Sequence, residues 1–170
     1  MIRAFVLVAL FSGLIVSVVR ADEPAAATKA TFSITGLHCP PCSRTVESAL
    51  GGVKGVRSAK VDWPTKTAKL EFDERAVSAQ QIAATVAHTP HMMGSGMQYG
   101  SWLVLSVPDL KDDTTAKAAR EALGPLSGVA NVTPFVSQHQ VSVQFDAKGS
   151  VTTAELIAAL AKAGLSAKSY

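Results

Sequence analysis

From Thr31 onward the sequence carries one apolar pattern twice, and that repetition limits the folds open to it. Moving the second half back by 73 residues sets Leu123-Gly124-Pro125-Leu126-Ser127-Gly128-Val129 on Leu50-Gly51-Gly52-Val53-Lys54-Gly55-Val56. The same shift sets Ser142-Val143-Gln144-Phe145-Asp146 on Lys69-Leu70-Glu71-Phe72-Asp73. One inserted residue later, Val151-Thr152-Thr153-Ala154-Glu155-Leu156 falls on Val77-Ser78-Ala79-Gln80-Gln81-Ile82. A period of this length exceeds that of solenoid units and points to two small domains, residues 31–97 and 101–170.

Each copy reads strand, helix, strand, strand, helix, strand. Thr31–Thr35 alternates around Phe32 and Ile34, the pattern of a half-buried strand. Val46, Ala49, Leu50 and Val53 recur at helical spacing, and glycines 51, 52 and 55 close that helix. Val56–Trp63 and Ala68–Phe72 are two strands joined at Pro64-Thr65-Lys66. Ser78 is the expected N-cap of a helix through Ala87, and a short fourth strand is expected between His91 and Tyr99. In the second copy the expected strands are Ser101–Val107, Val129–Val136, Gln140–Phe145 and Leu165–Tyr170. Its helices run to Leu123, capped by Asp112 or Asp113, and to Ala163, capped by Thr152 or Thr153. The predicted class is α+β: two tandem ferredoxin-like βαββαβ domains, each an antiparallel four-stranded sheet with two helices on one face. Glycine-rich residues 94–100 read as the joint, and the apolar register predicts that 101–170 folds on its own.

The first twenty-one residues follow a different logic. Arg3 precedes an apolar run from Ala4 to Val19, and Val19-Arg20-Ala21 offers small residues at the positions a signal peptidase reads. The run is sixteen residues, short of the roughly 20 needed to span a bilayer. Residues 1–21 are therefore expected to be a secretory signal cleaved after Ala21, with 22–30 a flexible lead-in. The mature chain would be periplasmic or secreted, with no stable membrane span. Loss of Arg3 and Arg20 leaves fourteen basic against thirteen acidic residues, no basic surface of the kind nucleic acid requires.

The two cysteines stand in Gly36-Leu37-His38-Cys39-Pro40-Pro41-Cys42, between the first strand and the first helix. A disulfide across two residues closes too small a loop to restrain the unfolded chain much. Paired thiols at this spacing are usually metal ligands or a redox couple. Backbone N–H groups and the dipole at a helix start favour thiolates, and thiolates select soft ions. Motif, position and element order together resemble the heavy-metal-associated domain family, which includes copper chaperones, amino-terminal modules of metal-pumping ATPases and periplasmic mercuric-ion binding proteins. The resemblance covers residues 31 to about 97 and, more loosely, 101–170. It implies that Cys39 and Cys42 are the metal ligands and that the chain is a carrier rather than an enzyme. Leu37 stands where the family has methionine, and Pro40-Pro41 stiffens the segment between the thiols. The implied cargo is copper(I), with mercury(II) second. Zinc is less favoured because no acid flanks the cysteines. The implied partner is a metal-transporting ATPase or another metal donor or acceptor. The rival reading is a thiol-disulfide oxidoreductase, since Cys39-Pro-Pro-Cys42 also resembles a thioredoxin-like active site.

A second cluster follows the second predicted helix: His88, His91, Met92 and Met93, with Met97 close behind, in a chain with four histidines and four methionines. In a βαββαβ unit this loop lies at the same end of the sheet as the cysteines. Imidazole and thioether both suit Cu(I), so His91, Met92, Met93, His88 and His38 are candidate additional ligands. The bland alternative is a helix end with methionines filling gaps. Trp63 and Trp102 read as packing residues, and His139 as a turn residue. In the second copy Asp112 and Thr115 fall where Cys39 and Cys42 stand, so that copy is expected to keep the fold without the thiols.

Overall fold

The computed structural model describes residues 27–94, 96–147 and 149–170; the expected signal segment lies outside them. Ten elements follow one another: β1 (Thr28–Thr35), α1 (Pro40–Gly51), β2 (Val56–Asp62), β3 (Thr67–Phe72), α2 (Ala79–His88), β4 (Gly100–Ser106), α3 (Asp113–Leu123), β5 (Val129–Phe135), β6 (Gln140–Phe145) and α4 (Thr153–Lys162). The six strands form one antiparallel sheet in the order β2-β3-β1-β4-β6-β5. The class is α+β, with the ferredoxin-like arrangement in the first half, where β2-β3-β1-β4 is the expected four-strand order.

The strands alternate as half-buried strands must. Ala30, Phe32 and Ile34 of β1, Ala68, Leu70 and Phe72 of β3, Leu103 and Leu105 of β4, and Val141 and Val143 of β6 are buried in one core. The inner faces of the helices complete it, with Val46 and Leu50 of α1, Ile82 and Val86 of α2, Ala119 and Leu123 of α3, and Leu156 and Leu160 of α4. The helix starts are set locally. Ser78, Asp112 and Thr152 each close a capping box with the residue three positions on. The turn after α1 recurs after α3. Gly55 and Gly128 both have positive φ, and their carbonyls accept the Asp73 and Asp146 amides at 2.9 and 3.1 Å.

Two expected strands fare differently. Among the described residues, no strand forms between His91 and Tyr99. The place beside β1 is taken by β4 itself, which pairs from Thr31↔Val104 to Thr35↔Gly100 on one edge and with β6 on the other. One strand thus serves both halves: the last strand of the first and the first strand of the second. With both edges of β4 engaged, the carboxy-terminal segment has no free edge to join. It makes a single bridge, Lys168 to Ser106 at the end of β4. Residues 98–100 lead directly into the shared strand.

Two further links tie the halves together. The Gln80 side-chain amide, turned to pair with Val151, accepts its N–H at 2.7 Å and donates to its carbonyl at 3.2 Å. Glu74 accepts the Thr153 amide at the start of α4, at 2.7 Å. The sheet face away from the helices holds a groove of about 710 Å³ bordered by Trp63, Phe135 and Tyr170. No helix among the described residues is long and apolar enough to cross a membrane.

Candidate metal centre

The loop between β1 and α1 is shaped by its sequence. Gly36 has φ +83°, and a Cβ there would lie 2.7 Å from the Gln98 carbonyl, so only glycine lets the two loops approach this closely. Leu37 is buried in the core as the anchor under the loop. Cys39 is the N-cap of α1, extended at φ −153° and ψ 159°, and Pro40 and Pro41 open the helix. Proline fits there because its φ is already helical and its missing N–H would have had no intrahelical acceptor.

These prolines change the expected electrostatics. The sequence suggested thiolate stabilisation by free amides of the first helical turn. Pro40 and Pro41 supply none. The amides acting on Cys42 are those of His38 and Cys39, just before the helix.

The two sulfurs lie 2.7 Å apart and are not bonded. Cys42 is fully buried, whereas Cys39 is partly accessible. Burial pushes the Cys42 thiol up. The hydrogen bond from Cys39, the His38 amide, the Tyr99 hydroxyl and the Cys39 amide outweigh it, and the net shift is down. Cys39 moves the other way, chiefly because it donates to Cys42. The two shifts run in opposite directions, so Cys42 is the member of the pair that gives up its proton more readily.

Tyr99 was not singled out from sequence. Its hydroxyl is buried beside the Cys42 sulfur and the Met92 amide. Burial, and then the hydrogen bond to Cys42, raise its own pKa. An aromatic residue just ahead of β4 was the available signal.

The loop after α2 comes to the cysteine end of the sheet, as the topology requires. The β2–β3 turn does too, since the Lys66 carbonyl accepts the Ile34 amide at 2.8 Å. His91 braces the loop. Its Nδ1 accepts the Met93 amide at 3.1 Å, so Nε2 carries the proton and donates to the Gly36 carbonyl at 2.9 Å. Its ring stacks on Tyr99 at 4.5 Å and meets His38 edge-on at 5.6 Å. Both nitrogens of His91 are therefore occupied. The Met92 sulfur lies 3.0 Å from the Thr45 hydroxyl, one turn beyond Cys42 on α1. Met93 points to solvent. His88 is held by Nδ1 to the Ala84 carbonyl at 2.7 Å, on the surface beside Ala49 and Pro90. Among the described residues, no three His, Cys, Asp or Glu side chains converge as a closed metal cage.

The matching loop ahead of α3 is built differently. Asp112 accepts the Thr115 amide at 2.8 Å, and the Thr115 hydroxyl lies 2.9 Å from the same carboxylate. That amide, and then that hydroxyl, lower the Asp112 pKa. Both side chains are engaged in capping their own helix.

Comparison with known proteins covers the stretch that holds both cysteines. Residues 31–91 match the heavy-metal-associated domain. The chain is 33% identical over 78 residues to the mercuric transport protein periplasmic component of Pseudomonas aeruginosa, covering 46% of this chain and 86% of that one. It is 35% identical over 55 residues to the copper chaperone CopZ of Staphylococcus haemolyticus, covering 32% of this chain and 81% of that one. Similarity to the copper-transporting ATPase HMA5 of Oryza sativa subsp. japonica runs over 142 residues at 27% identity, 81% of this chain but only 14% of that much longer protein.

Proposed function

Since the chain belongs to the heavy-metal-associated domain family, we propose that it is an exported carrier of one soft metal ion, Cu(I) before Hg(II), held by Cys39 and Cys42. The observation that carries this reading is the sulfur pair at 2.7 Å, with one member partly accessible and, among the described residues, no third His, Cys, Asp or Glu converging on it. Two thiolates hold a soft ion while leaving its coordination shell open to a partner's ligand, and ligand exchange between carriers needs that opening. Loading displaces thiol protons, since the ligands bind as thiolates. The periplasmic mercuric relative and the copper chaperone supply the two metals. Export rests on the pattern of residues 1–21. The partner in this reading is a metal-transporting ATPase or another donor or acceptor of the ion. The second half is a companion copy that keeps the fold and has spent its site on capping α3.

The oxidoreductase reading uses the same two residues but needs an accessible thiolate to attack a disulfide. Here the lowered pKa belongs to the buried Cys42, and the accessible Cys39 has its pKa raised. That arrangement favours the carrier.

Native mass spectrometry of the reduced chain from Asp22, with Cu(I), Hg(II) and Zn(II) in turn, tests the proposal. One tightly held Cu(I) or Hg(II) is expected, and none in the Cys39→Ser/Cys42→Ser variant. Unchanged binding in that variant, or efficient turnover of insulin disulfides by the unmutated chain, would overturn it.

A further inference from the structure

The large apolar side chains left exposed among the described residues fall into two groups. Trp63, Phe135 and Tyr170 border the groove on the open sheet face. Met92, Met93 and Met97, at 57%, 60% and 44% exposure, stand on the loop that His91 braces against the cysteine loop. Only Met1, in the leader, lies elsewhere in the sequence. Methionine is ordinarily a gap-filler of cores, and here none of these three fills a gap.

The loop is built to hold them outward. Its two turns are closed by the Gly94 amide on the His91 carbonyl and the Met97 amide on the Gly94 carbonyl, both at 3.3 Å. His91 spends both ring nitrogens on backbone, one on Gly36 and one on Met93. The loop is thus fixed without using its thioethers for packing. The Met92 sulfur sits against Thr45, whose hydroxyl also lies 3.2 Å from the carbonyl of Pro41, between the two cysteines. A thioether has two lone pairs, so one stays open to an ion.

We propose that Met92, Met93 and Met97 form a second, thioether-only site for a monovalent soft ion, Cu(I), which receives the ion and passes it to Cys39 and Cys42. The role of the loop as the entry to the cysteine site rests on the carrier reading; the thioether site itself does not. Neutral thioethers bind Cu(I) without losing a proton and discriminate against harder ions such as Zn(II). Transfer is ligand exchange with no change of oxidation state. The ion leaves thioether sulfur for the accessible Cys39 and then Cys42, and the thiol protons they give up go to solvent. Thiolates hold it more strongly, so exchange runs toward the cysteines.

Silver(I), a redox-inert monovalent soft ion, is the probe. Methyl NMR of methionine-labelled Cys39→Ser/Cys42→Ser protein should show saturable movement of the Met92, Met93 and Met97 signals. Adding Met92→Leu, Met93→Leu and Met97→Leu should abolish Ag(I) binding, with circular dichroism unchanged. In the chain that keeps its cysteines, the same three leucines should leave one Cu(I) bound at equilibrium and slow its uptake in stopped flow. Methionine signals that stay still at excess Ag(I), or binding equal in the leucine variant, overturn the thioether site. Uptake at an unchanged rate overturns the transfer. Failure of the cysteine pair to hold any metal instead sinks the carrier reading and leaves the silver titration standing.

Discussion

Leu156→Ala places a cavity in the second half of the chain and reads its effect in the first. Leu156 is fully buried in α4, in the second half of the chain. Emptying such a position costs about 3 kcal/mol, from lost transfer energy and the residual cavity. With a urea slope of roughly 2 kcal/mol per molar for a chain of this size, the midpoint falls by about 1.5 M. Trp63, in the β2–β3 turn of the first half, is the distant reporter once Trp102 is replaced by phenylalanine. Two domains on a linker would leave the Trp63 midpoint unmoved. The shared β4, the Gln80–Val151 pair and the Glu74–Thr153 bond make the halves one cooperative body. The Trp63 fluorescence midpoint should therefore fall by the same 1.5 M or so as the circular dichroism midpoint. Two transitions, or a Trp63 midpoint within about 0.3 M of the parent, would refute the argument.

Tyr99→Phe removes a hydroxyl that lowers the Cys42 pKa, so in a Cys39→Ser background the pH at which thiolate ultraviolet absorbance appears should rise; an unchanged titration would show that the hydroxyl does not act on Cys42. Ser78→Ala breaks the capping box of α2 and should cost about 1 kcal/mol in urea unfolding. Asp73, Asp109, Asp112 and Glu155 all have folded pKa values lowered first by backbone amides. Their stabilisation is complete above the ordinary carboxylate range, about pH 4, and is lost as pH falls through the lower folded values. The urea midpoint should hold between about pH 7 and 5 and drop below about 4, and a midpoint that rises on acidification would contradict this.

What the sequence made legible followed short-range rules. Phe32 and Ile34 alternate, Val46 and Leu50 lie one helical turn apart, and Ser78, Asp112 and Thr152 announce their helices. The cysteine loop and the arrival of the His/Met loop beside it were likewise readable, because element order fixes which loops share an end of the sheet. The shared strand was not. Gly100–Ser106 has the same alternation whether it pairs on one edge or two, so periodicity cannot count its neighbours. Tyr99 was hidden for a related reason. A buried aromatic next to a strand reads as packing, and its hydroxyl gains meaning only once the Cys42 sulfur is placed opposite it. The ligand candidacy of His91 concealed a backbone role, since ring-nitrogen acceptors are invisible in a one-dimensional pattern.

Because β1 and β4 run in opposite directions, the loops that follow them open at opposite ends of the sheet. The cysteine loop and the capped start of α3 are thus held about 20 Å apart, a strand's length, by the ladder between them. Domains on a flexible tether meet at millimolar effective concentration. Here that encounter is forbidden: the α3 end never swings over Cys39 to compete with a partner for the thiols. The second half acts as a splint. It keeps β1 from fraying at the point where the metal loop begins, and leaves that loop facing outward.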